Sequence, residues 1–246
     1  MKRLPWQLWL GALLVVLSAA LYLLHYAIFR DAHHIWIYLL GDIAFVPVEV
    51  LLVALILHRI LSAHEKRALR HKLNMVIGAF FSEVGSDLIR ALGAFDPEAA
   101  ALQADLSGAG DWPDPRFAQE SRRRRAAPRP MDPRRGDLAA LRTMLLGKRE
   151  FLLRLLENPN LLEHATFTDL LWAVFHLTEE LAHRRDLAAL PDTDLEHLAG
   201  DLRRAHALLV AEWLLYMRHL KRDYPYLFSL AVRTNPFNPK ATAEVR

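Results

Sequence analysis

Two long apolar stretches near the N-terminus constrain the fold of this chain more than any other feature. Residues 5–29 contain no Asp, Glu, Lys or Arg, and residues 35–57 form a second segment of similar length. About 20 apolar residues in a helix span the hydrocarbon core of a bilayer. The basic start at residues 1–3 and the small residues 18–20 also fit a cleaved signal peptide, but the apolar run continues well past that point. We therefore expect two membrane-spanning helices.

A five-residue connection, "RDAHH", is short enough to join the two helices as an antiparallel hairpin within residues 1–60. Lys2 and Arg3 precede the first span, and a larger basic group, suited to contact with lipid head groups, follows the second: Arg59, Lys66, Arg67, Arg70 and Lys72. Basic residues are retained on the cytoplasmic side of a membrane. This distribution predicts a multi-pass protein of a bacterial inner membrane with both termini in the cytoplasm.

The second span carries two acidic residues, Asp42 and Glu49. Each costs about 2.5–3.5 kcal/mol to insert, and such residues usually face a bundle interior or a hydrated path. A separation of seven residues places both on one helix face, about 10 Å apart along the axis. Pro47 removes a backbone hydrogen bond between them, and Gly41 allows close approach of a neighbouring helix. Because a two-helix hairpin has little interior, we expect a homo-oligomer in which rings of Asp42 and Glu49 line a path for cations.

This arrangement of Asp, Glu and Pro in the second span of a short hairpin is similar to the pore of the mitochondrial calcium uniporter. The carboxylates are two helical turns apart here and one turn apart in that pore. The two carboxylates of the second span thus predict a homo-oligomeric membrane protein that conducts or senses cations. Two alternatives stay open: the carboxylates could be protonated groups that only join helices, or the chain could be a non-enzymatic, membrane-anchored adaptor that acts through its cytosolic domain.

The remaining sequence predicts an all-α membrane protein, in which a helical stalk and a small cytosolic helical bundle follow the two-span transmembrane hairpin. Residues 61–95 have the 3.6-residue apolar period of an amphipathic stalk helix. Residues 96–136 are rich in Pro, Gly, Ala and Arg and predict a flexible basic linker that could contact anionic lipids. The helical period returns over residues 137–233, the predicted bundle, and residues 234–246 form a tail.

Two histidine-containing groups are candidate sites for metal or protons. His176, Glu180 and His183 share one face of a predicted helix, opposite its apolar face, so that a solvated face is expected and a surface metal site is the alternative. A second group lies near the outer turn and could bind a metal ion or respond to external pH: His25, Asp31, His33 and His34. The chain has no Cys, and we find no arrangement typical of an enzyme, a cofactor site or a nucleic-acid interface.

Overall fold

The fold is described from a computed structural model that covers residues 6–159, 161 and 164–244, with side chains left out at residues 8 and 60–73. Within these ranges the chain is helical and contains no β-strand, which confirms the all-helical prediction. The chain divides into two compact units, Met1–Lys66 and Arg67–Arg246. We refer to them as the N-terminal unit and the C-terminal unit.

Nine α-helices are present in the described residues. They are α1 (Trp6–Phe29), α2 (Ala32–Phe80), α3 (Ser86–Gly93), α4 (Ala99–Ser107), α5 (Asp114–Ala126), α6 (Leu138–Leu156), α7 (Ala165–His183), α8 (Asp192–Asp223) and α9 (Pro225–Arg233). A π-helical turn, Phe81–Gly85, links α2 to α3, and a 3₁₀ turn, Ala109–Asp111, follows α4.

The N-terminal unit contains two helical segments that are long and apolar enough to cross a membrane, Trp9–Phe29 and Ala32–Arg59. Their apolar side chains are exposed in the single chain. The connection between them is shorter than predicted, because α2 begins at Ala32. Arg30 takes a left-handed conformation with φ of 56°, and the Asp31 carboxylate accepts hydrogen bonds from the backbone N–H groups of His33 and His34. This carboxylate caps the helix and fixes its early start.

The C-terminal unit is built around α8, the longest helix that lies entirely within it. Helices α5 and α7 pack against α8, and α6 packs against α7. The apolar faces of these helices enclose a core that includes Leu171, Leu209 and Trp213. The helices predicted over residues 137–233 are therefore present. The N-cap of α7 is His164, whose side chain accepts a hydrogen bond from Phe167 N–H at 3.3 Å.

From residue 67 on, the predicted stalk is part of this unit rather than a separate element. Phe80, Val84 and Leu88 are buried in the same core as α7 and α8. Gly85 lies against the rings of Phe80 and Phe81, and Gly78 faces the ring of Tyr216. Both glycines thus pack against aromatic side chains of the same chain.

The prediction of a flexible linker over residues 96–136 is wrong. This segment forms α4 and α5, and it buries Leu102, Leu106, Trp112 and Phe117. The sparse apolar residues of the segment coincide with its contacts to the core. Their burial stabilises a stretch whose overall composition suggested disorder.

The arginines of this segment form ion pairs across the C-terminal unit. Arg124 is nearly buried and binds Asp105 at 2.8 Å, whereas Arg129 binds the buried Asp96 at 2.7 Å. The other pairs are Arg125–Asp169 and Arg134–Asp192. These guanidinium groups therefore hold α4, α5 and the following turn to the rest of the unit.

Part of the predicted tail is also folded into the unit. Asn235 is buried, and its side-chain amide donates hydrogen bonds to the carbonyl oxygens of Leu106 and Ser107. Phe237 packs edge-on against Trp213, with 5.0 Å between the ring centroids. The tail therefore closes the core over α4.

Candidate functional site

Four side chains that can bind a metal ion converge where α7 and α8 lie side by side. His176 and Glu180 are one turn apart on α7, and His197 and Asp201 are one turn apart on α8. Residues four apart lie on the same helix face, so that each helix presents one imidazole and one carboxylate. One nitrogen or oxygen from each residue lies within 4.8 Å of the others.

The separations between these atoms resemble those around a four-coordinate metal ion. Asp201 Oδ2 lies 3.5 Å from His176 Nε2 and 3.3 Å from His197 Nε2. Glu180 Oε1 lies 3.7 Å from His176 Nε2, and Glu180 Oε2 lies 3.5 Å from His197 Nε2. Ligands bound tetrahedrally at zinc distances are about 3.3 Å from one another. Because these atoms lie up to 4.8 Å from one another, side-chain movements of up to about 1.5 Å would complete such a site.

Asp201 provides an independent indication of a ligand. Its side chain is only 5% exposed, and its Oδ2 atom has no hydrogen-bond partner among the described residues. A buried carboxylate oxygen without a partner is costly. This atom points into the space between the two imidazoles, where a cation would satisfy it.

Glu180 is held in place by Arg184, which follows the end of α7. The Arg184 Nη1 atom donates to the Glu180 carboxylate at 2.7 Å and to the Glu180 carbonyl oxygen at 2.5 Å. Its other two nitrogens donate to both carboxylate oxygens of Asp194 in α8. The hydrogen bond from Arg184 lowers the pKa of Glu180 below its ordinary value, and the same guanidinium lowers the pKa of Asp194. Glu180 is therefore ionised at neutral pH, as a metal ligand must be.

The structure brings together two of the three predicted soluble-domain ligands and excludes the third. His183 is exposed, and its Nδ1 atom lies 2.8 Å from the Glu179 carbonyl oxygen, away from the cluster. His176 is 44% exposed and lies at the edge of the α7–α8 contact rather than on a fully solvated face. The sequence contains a signal for the two missed ligands, because the pattern His-x-x-x-acid occurs both at residues 176–180 and at residues 197–201.

The polar residues of the N-terminal unit form a separate group between its two helices. The Tyr22 hydroxyl lies 3.4 Å from the Asp42 carboxylate, and the rings of His25 and His34 stack with centroids 5.8 Å apart. These four residues line a cleft of about 550 Å³. Asp42 thus has a partner within the hairpin, which the expectation of a purely intersubunit site did not include.

The other residues predicted for this unit are placed as follows. Glu49 is exposed, α2 continues through Pro47, and the Cβ position of Gly41 faces open space. Asp31 caps α2 through the backbone of His33 and His34. Of the predicted basic group, Arg59 is exposed, whereas Lys66, Arg67, Arg70 and Lys72 lie outside the residues whose side chains are described.

Two further titratable groups are buried in α8, away from the metal-binding cluster. Burial lowers the pKa of His206 to about 4, and its Nε2 atom has no partner among the described residues. Burial raises the pKa of Glu212, with a smaller opposing effect from a hydrogen bond with Thr166. Burial therefore shifts both groups toward their uncharged forms.

Comparison with known proteins identifies relatives over almost the whole chain. Residues 2–61 match the family model described as "MJ1433, N-terminal helical domain", and residues 69–233 match "Uncharacterized protein MJ1433, C-terminal helical domain". The chain is 43% identical over 228 residues to "Uncharacterized protein MJ1433" of Methanocaldococcus jannaschii, an alignment that covers 93% of this chain and 92% of that protein. No solved structure matches the chain significantly.

Proposed function

The chain belongs to the family of protein MJ1433, and we propose that it is a membrane-anchored protein that binds a divalent metal ion in its C-terminal helical domain. His176, Glu180, His197 and Asp201 are the proposed ligands. The observation that carries the proposal is the buried Asp201 Oδ2 atom, which makes no hydrogen bond among the described residues and lies within 3.5 Å of two imidazole nitrogens. Two imidazoles and two carboxylates favour Zn²⁺ or a similar transition-metal ion over Mg²⁺, which prefers oxygen ligands and bound water.

Two features support anchoring in a membrane. Both apolar segments, Trp9–Phe29 and Ala32–Arg59, reach spanning length, and their apolar surface has no cover within the described chain. Only Arg30 and Asp31 separate the helices. A hairpin of this kind inserts with a very small polar turn on the far side of the bilayer.

The metal site is tested by calorimetric titration of the full-length protein in detergent, after treatment with a chelator. We expect one Zn²⁺ ion per chain with at least micromolar affinity and much weaker binding of Mg²⁺. Asp201→Asn should weaken Zn²⁺ binding by at least a hundredfold, because it removes a charged ligand. His183→Gln is the matched control and should bind as the wild type does, since His183 lies outside the cluster.

Thermal unfolding of the metal-free proteins separates loss of the site from loss of the fold. Asp201→Asn should unfold at the wild-type temperature or above, because it removes a buried charge. The proposal fails if the wild type binds no Zn²⁺, or if Asp201→Asn and His183→Gln bind it equally well.

Membrane topology is tested with single cysteines, since the natural chain has none. A cysteine in place of Ala32, the first residue of α2, should react with a membrane-impermeant maleimide added to intact cells. A cysteine in place of Ser107, in the C-terminal unit, should react only after the membrane is opened. Equal labelling of both positions in intact cells would contradict the proposed orientation.

A second function, passage or sensing of cations by the hairpin itself, is favoured by the cleft that contains Asp42, Tyr22, His25 and His34. In this proposal the hairpins of several chains assemble so that Asp42 and Glu49 face a shared path. Liposomes with the wild-type protein should then take up cations, and Asp42→Asn and Glu49→Gln should reduce the flux. A protein that is monomeric in detergent and passes no cation would exclude this function.

A further inference from the structure

One cleft of the C-terminal unit lies directly beside the proposed metal site. Its volume is about 430 Å³, and it is lined by Arg125, Asp169, Trp172, Ala173, His176, Arg204 and Leu208. His176 is a wall of this cleft and also a proposed metal ligand. A molecule in the cleft would therefore lie next to the metal site.

The walls of the cleft combine two guanidinium groups with an apolar surface. Arg125 donates from Nη2 to Asp169 at 2.5 Å, which occupies one of its nitrogens. The Trp172 side chain is unusually exposed for an indole, at 58%, and lies near the apolar Ala173 and Leu208. Guanidinium groups bind phosphate oxygens through paired N–H donors. The exposed indole offers a flat surface for an apolar or aromatic group.

Arg204 connects the cleft to the metal site. Its Nη1 atom lies 3.4 Å from Asp201 Oδ1, a long contact, and its side chain is 61% exposed. The other carboxylate oxygen, Asp201 Oδ2, faces the two imidazoles. A metal ion bound to Asp201 would weaken the attraction of this carboxylate for Arg204 and leave the guanidinium available to a ligand in the cleft.

The charge around the two sites also depends on the metal ion. Four carboxylates (Asp169, Glu180, Asp194 and Asp201) and three guanidinium groups (Arg125, Arg184 and Arg204) are joined here in ion pairs. These four carboxylates and three guanidinium groups together carry one excess negative charge, which repels an anion. A divalent ion changes the excess to one positive charge, which attracts an anion.

We propose that this cleft binds the phosphate group of a small organic phosphate, and that the metal ion strengthens this binding through Arg204. The proposal rests on the proposed metal-binding function. The phosphate contacts Arg204 and Arg125, and the organic part of the ligand lies on Trp172. Since the four metal ligands come from the protein, the metal acts through its charge and through the release of Arg204.

The experiment uses full-length protein in detergent and phenyl phosphate as the probe, titrated with and without one equivalent of Zn²⁺. We expect about tenfold tighter binding of phenyl phosphate with Zn²⁺, within the usual range of coupling between two sites. Arg204→Gln should remove this dependence on Zn²⁺ while Zn²⁺ affinity stays within about threefold of the wild type. Arg203→Gln is the matched control, because Arg203 directly precedes Arg204 in α8, is exposed and does not line the cleft.

Two further ligands test the chemistry of the cleft. In the wild type, inorganic phosphate should bind more weakly than phenyl phosphate. In Trp172→Ala, the two ligands should bind with the same weak affinity. Lipid nanodiscs that contain phosphatidate, compared with phosphatidylcholine alone, show whether a lipid head group supplies the phosphate. If nanodiscs with phosphatidate displace phenyl phosphate and those with phosphatidylcholine alone do not, a lipid supplies the phosphate. If neither kind of nanodisc displaces it, the phosphate comes from a soluble monoester.

The outcomes distinguish this inference from the proposed function. If the wild type binds Zn²⁺ but phenyl phosphate binds equally with and without it, the coupling is wrong and the metal site remains. If Arg204→Gln binds phenyl phosphate as the wild type does, the cleft is not the binding site. If Zn²⁺ itself does not bind, the proposed function fails, and this inference fails with it.

Discussion

Acidification from pH 7 to pH 5 should destabilise the C-terminal unit through one residue, His206. This histidine is 2% exposed, and its Nε2 atom has no hydrogen-bond partner among the described residues. Burial lowers its pKa to about 4 from an ordinary value of 6.5, while the nearby Asp96 partly opposes this change. The folded protein therefore resists protonation of His206 at a pH where the unfolded chain accepts the proton.

The sign and size of the effect follow from these two pKa values. Between pH 6.5 and pH 4 the unfolded state binds more protons at this position than the folded state, so that stability falls as the pH falls. The full difference between 6.5 and about 4 corresponds to about 3 kcal/mol. About 2 kcal/mol of it is lost between pH 7 and pH 5.

His206→Leu isolates this contribution. Urea unfolding of full-length protein in detergent, followed by the near-ultraviolet circular dichroism of the buried Trp112 and Trp213, gives the free energy of unfolding at each pH. All other titrating groups are common to the wild type and the variant. The stability difference between the two proteins should therefore shift by about 2 kcal/mol between pH 7 and pH 5, in favour of the variant.

His183→Leu serves as the control, because His183 is exposed. It should show the same pH dependence as the wild type. The reasoning is refuted if His206→Leu loses as much stability on acidification as the wild type does, since His206 would then be protonated without penalty in the folded state.

Three further predictions concern the packing of the C-terminal unit. Phe117→Ala removes a fully buried ring from the segment expected to be a linker. It should lower the free energy of unfolding by about 3–5 kcal/mol and the melting temperature by roughly 6–20 °C. Tyr226→Ala, at an exposed aromatic residue, should change the melting temperature little. Gly136→Ala places a methyl group 2.6 Å from the Phe95 ring and should destabilise the unit by about 1–3 kcal/mol. Gly147→Ala lies inside α6 and faces open space, so it should stabilise the unit by about 0.5–1 kcal/mol in the same melting assay. Burial raises the pKa of Glu212, so that ionisation of this residue costs stability in the folded protein. Glu212→Gln should therefore become more stable than the wild type as the pH rises above the ordinary value of 4.5. Equal urea midpoints of the two proteins at all pH values would contradict this.

The elements that the sequence predicted correctly are those whose signal is local. Helices α6 to α9 follow from an apolar period that each segment carries by itself. Helix α5 has no such period, because four of its thirteen residues are consecutive arginines. Its partners Asp105 and Asp169 are distant in sequence, so that only the tertiary fold shows that the arginines are paired.

The candidate metal site divides in the same way. The spacing of His176 and Glu180 on one helix is visible in the sequence, whereas their meeting with His197 and Asp201 depends on how α7 and α8 lie together. A helical projection of one helix by itself distinguishes only the apolar face from the opposite, solvent-exposed face. It overlooks the edge between two packed helices, where these four residues lie.

The packing of α5 against α8 has a consequence for the synthesis of the chain. Helix α5 ends at Ala126, and its partner does not begin until Asp192 and ends at Asp223. At about 5–20 residues per second, the ribosome needs roughly 5–20 s to complete α8 after α5 has emerged. During this interval Phe117 has no core to enter, and the charge of Arg122–Arg125 keeps the nascent segment hydrated. The arginine run that imitates a linker is thus suited to a helix that must remain soluble until its partner has been made.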